Sequence, residues 1–246
     1  MQKGNNQVIL RLAMISSAAI LALKRIPLFS GMSFGDLRHV AKIARVHKVP
    51  KGVLVFEKNM AGNHLFVVIK GRIKIYSEIG DGRKKKTFAY LDHSDFFGEM
   101  SLLDKKGRSL SAAALGEAEL LTISRKEFQK LLARNPGFAL KVIKTLVERL
   151  RRANEEIEGF SFRSLYGRVC RKLLDLAEKP GGFKAKSGAS SVLITHTELA
   201  DLTGTAREMV TRVLSSLRRQ GVIEYENHHI KVMAGPKLRE LAQIEQ

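Results

Sequence analysis

The chain has 246 residues, enough for one large domain or two ordinary ones, and 44% of them are hydrophobic, as in a globular protein with a packed core. A net charge of +19 and a pI near 10.2 point to an acidic partner, nucleic acid first and an anionic membrane surface second. The single cysteine, Cys170, excludes an intrachain disulfide framework and a cysteine-only metal centre, and fits a reducing cytoplasm.

Residues 1–23 read as an extension. Val8 to Leu23 is nearly all apolar or small, but it falls short of the roughly 20 residues a membrane helix needs. Only Lys3 precedes the apolar run and Arg11 interrupts it. An amphipathic helix is expected, not a signal peptide or a span, and Met14 is an alternative start of translation. Ser33 then caps a helix with Asp36 three residues on, and Leu37, Val40, Ile43 and Ala44 share a face.

From His47 the period changes to that of strands. Val49, Val53, Val55 and Phe56 suggest strands, Leu65 to Ile69 reads as a buried one, and Gly71 to Tyr76 alternates. Glycines at 52, 62, 71, 80 and 82 punctuate the run, so residues 24–135 are expected to hold a small β-roll, jelly-roll-like. Asp81-Gly82 marks a hairpin turn, with Arg83 to Lys86 at its solvated tip. Thr87 to Leu91 returns, and Glu119 to Ile123 closes the roll.

Between those last two strands lies Phe96-Phe97-Gly98-Glu99-Met100-Ser101-Leu102-Leu103, and after a polar loop Arg108-Ser109. This stretch suits a phosphate and its sugar. Gly98 lets the backbone approach a ligand, and Glu99 offers acceptors to a vicinal hydroxyl. Arg108 presents a planar fork of donors, while Ser109 and the turn amides add more.

Ser124 caps a helix with Glu127 three residues on, and Asn135-Pro136-Gly137 breaks it. Residues 136–159 are expected as a long helix, Phe138 to about Glu158. On it Leu140, Ile143, Val147, Leu150, Asn154 and Ile157 recur at alternating three- and four-residue steps. That is a coiled-coil seam, so a parallel two-stranded homodimer is expected, with Asn154 as the polar residue that sets its register. Gly159 to Ser164 reads as a hinge, Leu165 to Glu178 as a helix, and Lys179 to Ser191 as a loop.

Residues 160–246 then carry a winged helix-turn-helix. Thr195-His196-Thr197-Glu198 and Thr205-Ala206-Arg207-Glu208 read as two capping boxes, each opening a helix. A hairpin follows, Val222 to Tyr225 and Ile230 to Val232, turning at Asn227. The start of the second helix would meet base edges of double-stranded DNA. Arg207 and Arg212 can pair with guanine, Glu208 can accept from cytosine, and Thr211 lies near the same face. Ser215, Ser216, Arg218 and Arg219 suit phosphates; Thr195 and Thr205 stand at the two helix starts.

Gly-Glu-x-Ser-Leu-Leu, a loop, then Arg-Ser and the small Ala112 and Ala113 resemble the phosphate-binding segment of the cyclic AMP receptor / fumarate-nitrate regulator superfamily. The resemblance runs from about Leu23 to Ala234. It implies an α+β chain: a cyclic-nucleotide-binding roll, a long dimerisation helix and a C-terminal winged helix-turn-helix. It also implies that Glu99 holds the ribose 2′-hydroxyl and that Arg108 and Ser109 hold the cyclic phosphate, with Gly98, Met100 and Ser101 around them. The effector would be cAMP, or cGMP, with no metal. The family's two base-contacting hydroxyl residues become Ala153 and Asn154, so Asn154 is a candidate base contact and the base is open. The Arg-Glu-x-x-x-Arg of the second helix implies TGTGA half-sites in an inverted repeat, and RNA polymerase as a partner.

The same scaffold can serve other effectors. An iron–sulfur sensor needs more cysteines. A haem sensor would use His47, His64 or His93, and a regulator without a ligand would have no use for Glu99, Arg108 and Ser109. No Ser-His-Asp setting, zinc spacing or P-loop suggests an enzyme.

Overall fold

The structure is a computed structural model and describes residues 9–10, 17–79, 84–178, 183–184, 190–226 and 229–243. The chain forms two compact units, residues 1–148 and 149–246.

The first unit is built on two antiparallel sheets. One joins, in spatial order, β1 (Ile9–Leu10), β2 (Arg45–Val49), β9 (Ala118–Ser124), β4 (His64–Lys70) and β7 (Phe96–Phe97). The other joins β3 (Leu54–Phe56), β8 (Ser111–Ala114), β5 (Ile73–Ile79) and β6 (Lys84–Leu91). Strand alternation splits the core in two. On β4, Phe66 and Val68 point into the roll, where they meet Phe56, Ile73, Leu91 and Phe97. Leu65 and Val67 point outward, under helices α1 (Ser17–Arg25), α2 (Phe34–Ile43) and α4 (Arg125–Arg134) and the start of α5 (Pro136–Phe162).

The caps explain where these helices begin. Ser33 Oγ accepts from Asp36 N at 3.1 Å, and Ser124 Oγ from Glu127 N at 3.4 Å, as the sequence predicts. Asn135 does more than break a helix. Its Oδ1 accepts from Phe138 N at 2.9 Å, so it starts α5, and Pro136 fits at a first turn that needs no donor. Phe138 then stacks on Phe29 and meets Phe128 edge-on. Phe138 and Val142 are buried, while Leu140, Ile143, Val147, Leu150 and Ile157 are exposed.

Three local expectations are corrected. Within the helix expected from Val8, Ile9–Leu10 is a strand paired with β2, and Ser17–Arg25 is helix. α5 runs on to Phe162, so Gly159 sits inside it and the hinge shrinks to Arg163-Ser164. One glycine is a modest penalty in a 27-residue helix. The expected loop 179–191 contains strands β10 (Phe183–Lys184) and the start of β11 (Ser190–Leu193). The turns at Asp81-Gly82 and Asn227 lie outside the described residues.

In the second unit α6 (Leu165–Glu178), α7 (His196–Thr203) and α8 (Arg207–Arg219) pack with a sheet of order β10-β11-β13-β12, where β12 is Ile223–Glu226 and β13 is His229–Val232. Val169, Leu173, Leu199, Val210, Leu214 and Leu217 form its interior. Glu155 and Glu156 of α5 pair with Arg171 and Lys172 of α6 at 3.1 and 2.8 Å. A last helix, α9 (Gly235–Leu241), buries Leu238. No helix among the described residues is long and apolar enough to cross a membrane.

Candidate functional site

The first site grows from one sharp bend. After β7, Gly98 takes φ +82°, and the chain turns at once into the short helix α3 (Met100–Asp104). Only glycine adopts that backbone without strain. A Cβ on Gly98 would also strike the Arg108 guanidinium. The bend buries Glu99 and Ser101 and leaves Met100 half exposed.

Arg108 comes into this bend from the loop before β8 and is only 4% exposed. Its Nη1 donates to Gly98 O at 2.6 Å and to Ser101 Oγ at 3.0 Å; its Nη2 donates to His64 O at 2.8 Å. The guanidinium lies over the Phe56 ring, 4.2 Å from its centroid. Its Nε is buried without a hydrogen-bond partner. Burial pulls the group down to about 10, the Glu99 carboxylate works against that fall and Arg125 adds to it. Arg108 therefore keeps its charge at neutral pH, with one buried donor unspent. Ser109 is exposed, and its hydroxyl donates toward Met100 Sδ at 3.6 Å. Gly98, Glu99, Met100, Ser101, Arg108 and Ser109 thus gather in one place.

Phe56, Gly62 and His64 belong here too, and the sequence did not assign them to this site; His64 was named only as a haem-ligand candidate. A Cβ on Gly62 would come 2.8 Å from Arg108 Cζ and collide with Ser101. The His64 imidazole is held below its usual range by burial, then by Arg108, His47 and Arg45. Alternation along β3 and β4 could have suggested Phe56, but nothing local marks Gly62. Asn154 is exposed on α5, in the second unit. Among the described residues, no three of His, Cys, Asp and Glu come together as metal ligands.

The second site is the outer face of α8. Val210, Val213, Leu214 and Leu217 face inward, so Arg207, Glu208 and Arg212 are left exposed. An open groove of about 670 Å³ is lined by Thr211, Arg212, Ser215, Arg218, Arg219 and Tyr225. The first capping box is present: Thr195 Oγ1 accepts from Glu198 N, and Glu198 Oε2 accepts from Thr195 N at 2.8 Å. The second is absent. Ala206, not Thr205, is the N-cap of α8, and it has no side-chain cap. The cause lies in α7: Gly204 takes φ +66° and Thr205 N donates to Ala200 O at 3.1 Å, so Thr205 completes the end of the preceding helix.

Thr211 is braced from behind. Its hydroxyl donates to Arg207 O at 3.0 Å and lies 3.0 Å from His196 Nδ1. A hydroxyl has one hydrogen, so His196 donates through Nδ1. The His196 ring meets Tyr225 edge-on at 5.4 Å, and the Arg218 guanidinium lies over the same Tyr225 ring at 5.1 Å. This brace joins α7, α8 and β12 and was not anticipated.

Comparison with known proteins covers both regions of the chain. The cyclic nucleotide-binding domain family matches residues 46–135, and the Crp-like helix-turn-helix domain family matches residues 167–241. The cyclic AMP receptor protein of Thermus thermophilus is 33% identical over 220 residues, 89% of this chain and 98% of that protein. The cAMP-activated global transcriptional regulator Vfr of Pseudomonas aeruginosa is 33% identical over 195 residues, 76% of this chain and 90% of that one. The fold is also that of the c-di-GMP responsive global regulator CLP of Xanthomonas campestris, with a TM-score of 0.64 at 24% identity, over 79% of this chain and 95% of that chain. A nucleotide-binding roll followed by a helix-turn-helix, matched over nearly the whole length of a relative, places the chain in the cyclic AMP receptor / fumarate-nitrate regulator family of transcription regulators, and not among enzymes.

Proposed function

We propose that the protein is a homodimeric, cytoplasmic transcription regulator whose hold on DNA is set by a cyclic nucleotide in the roll. The observation that carries this reading is Arg108: a buried cation with an unspent Nε, beside the buried Glu99. An anionic phosphate answers the unspent Arg108 donor, and the hydroxyl beside it can donate to the Glu99 carboxylate. Ser109 stands at the rim as the further phosphate ligand, with Gly98, Met100 and Ser101 shaping the bend and Asn154 as a base contact. Cyclic AMP is the effector that the relatives' names carry, and cyclic GMP is its rival.

The roll (24–135), the dimer helix (136–159) and the DNA-binding part (160–246) divide the labour. Arg207, Glu208, Thr211 and Arg212 read bases of a TGTGA-like inverted repeat, while Thr195, Thr205 and Ser215 contact the backbone. RNA polymerase is the downstream partner. The nucleotide acts by binding the DNA-competent state more tightly than the other.

The test is calorimetric titration with cAMP and cGMP, followed by DNA binding to a TGTGA inverted repeat at fixed salt. Saturable binding that tightens the DNA complex is expected. Arg108→Leu and the gentler Glu99→Gln should each weaken nucleotide binding by at least about tenfold. Unchanged affinity in both variants would refute the pocket. DNA recognition with no response to either nucleotide would move the effector to another class.

A further inference from the structure

The inner face of the roll changes character beyond the phosphate site. On β5, Ile73 and Ile75 face the apolar interior, and the next inward position is Ser77, 7% exposed. Opposite, Phe56 ends β3 under the Arg108 guanidinium, and two residues on stands Lys58. Lys58 Nζ donates to Ser77 Oγ at 3.3 Å, and Lys58 N donates to Ser111 Oγ at 3.0 Å. Lys86 pairs with Ser77 across the ladder of β5 and β6. Ser77 is thus a buried hydroxyl that follows Ile73 and Ile75 on one face, and a polar group buried there needs a partner, which Lys58 supplies.

We propose that Lys58 and Ser77 form a base-edge subsite that favours a nucleotide whose base carries a carbonyl oxygen. This rests on the pocket reading above. The ammonium is a donor only, with two of its three hydrogens left after Ser77. The Ser77 oxygen accepts from Lys58, and its hydroxyl hydrogen can serve as a further donor. The subsite therefore presents donors to the ligand. Guanine and hypoxanthine answer with two acceptors on one edge, O6 and N7, whereas adenine sets an N6 amino donor beside its N7. Lys58 thus raises the affinity for cyclic GMP relative to cyclic AMP, whichever binds more tightly overall.

The experiment titrates cAMP, cGMP and cIMP into the full chain and into Lys58→Met and Ser77→Ala, with thermal melts as a folding control. cIMP carries the 6-oxo group without the 2-amino group of guanine. Lys58→Met should lower affinity for both cGMP and cIMP by about tenfold and leave cAMP within about twofold. Ser77→Ala should move the same ratio in the same direction. An equal loss for all three ligands would make Lys58 a general attraction for the phosphate and overturn the subsite. So would an unchanged ratio in both variants. In those cases binding that still depends on Arg108 leaves the pocket itself standing. Absence of any binding to the unaltered chain would remove the pocket and the subsite together.

Discussion

Arg108 and Arg212 are the same residue type put to opposite uses. Arg108 is enclosed, with three protein acceptors around its guanidinium and an aromatic face below it, so its direction is set before any ligand arrives. Little side-chain entropy remains to be lost on binding. Arg212 is exposed on α8 and free to meet a base edge. Arg212→Ala should reduce discrimination within the half-site by about 1–3 kcal/mol, measured as competition between matched and altered operators. An equal loss on every sequence would make it a phosphate contact. Both arginines were legible in the sequence, because each sits in a short local pattern. Their supports were not. Phe56 and His64 reach Arg108 through the pairing of strands far apart in the chain, and His196 reaches Thr211 only when α7 and α8 pack.

The two helix starts in the DNA-binding unit show what a local pattern can and cannot settle. Thr195 and Thr205 both stand three residues before a glutamate, and only Thr195 caps. The difference is made by the preceding element, since Thr205 gives its N–H to the end of α7. Thr195→Ala should therefore lower stability by about 1 kcal/mol in urea unfolding, while Thr205→Ala should stay within about half of that. Equal losses would put Thr205 back as a cap. The roll's strands were legible because alternation and glycines marked them. β1 was not, because a pair of apolar residues in an apolar run has no period of its own, and only the open edge of β2 makes it a strand.

Across the whole molecule, α5 serves two apolar surfaces. Phe138 and Val142 belong to the roll's outer core, and Leu140, Ile143, Val147 and Leu150 stand exposed beside them. Water on four such side chains is a standing penalty that a second copy of the helix, as proposed, would remove. Ile143→Glu with Leu150→Glu should give monomers by light scattering and leave the melt of the roll nearly unchanged; a persistent dimer would refute the seam. The proposed effector pocket has a comparable breadth, since Phe56, Gly62, His64, Gly98, Ser101 and Arg108 come from β3, the loop before β4, β4 itself, the bend, α3 and the loop before β8. Gly62 has no group to offer a nucleotide, yet any side chain there displaces Ser101 and Arg108. Alleles deaf to the effector will therefore not be confined to codons whose products touch it, and one that changes Gly62 will resemble the loss of an arginine encoded far downstream.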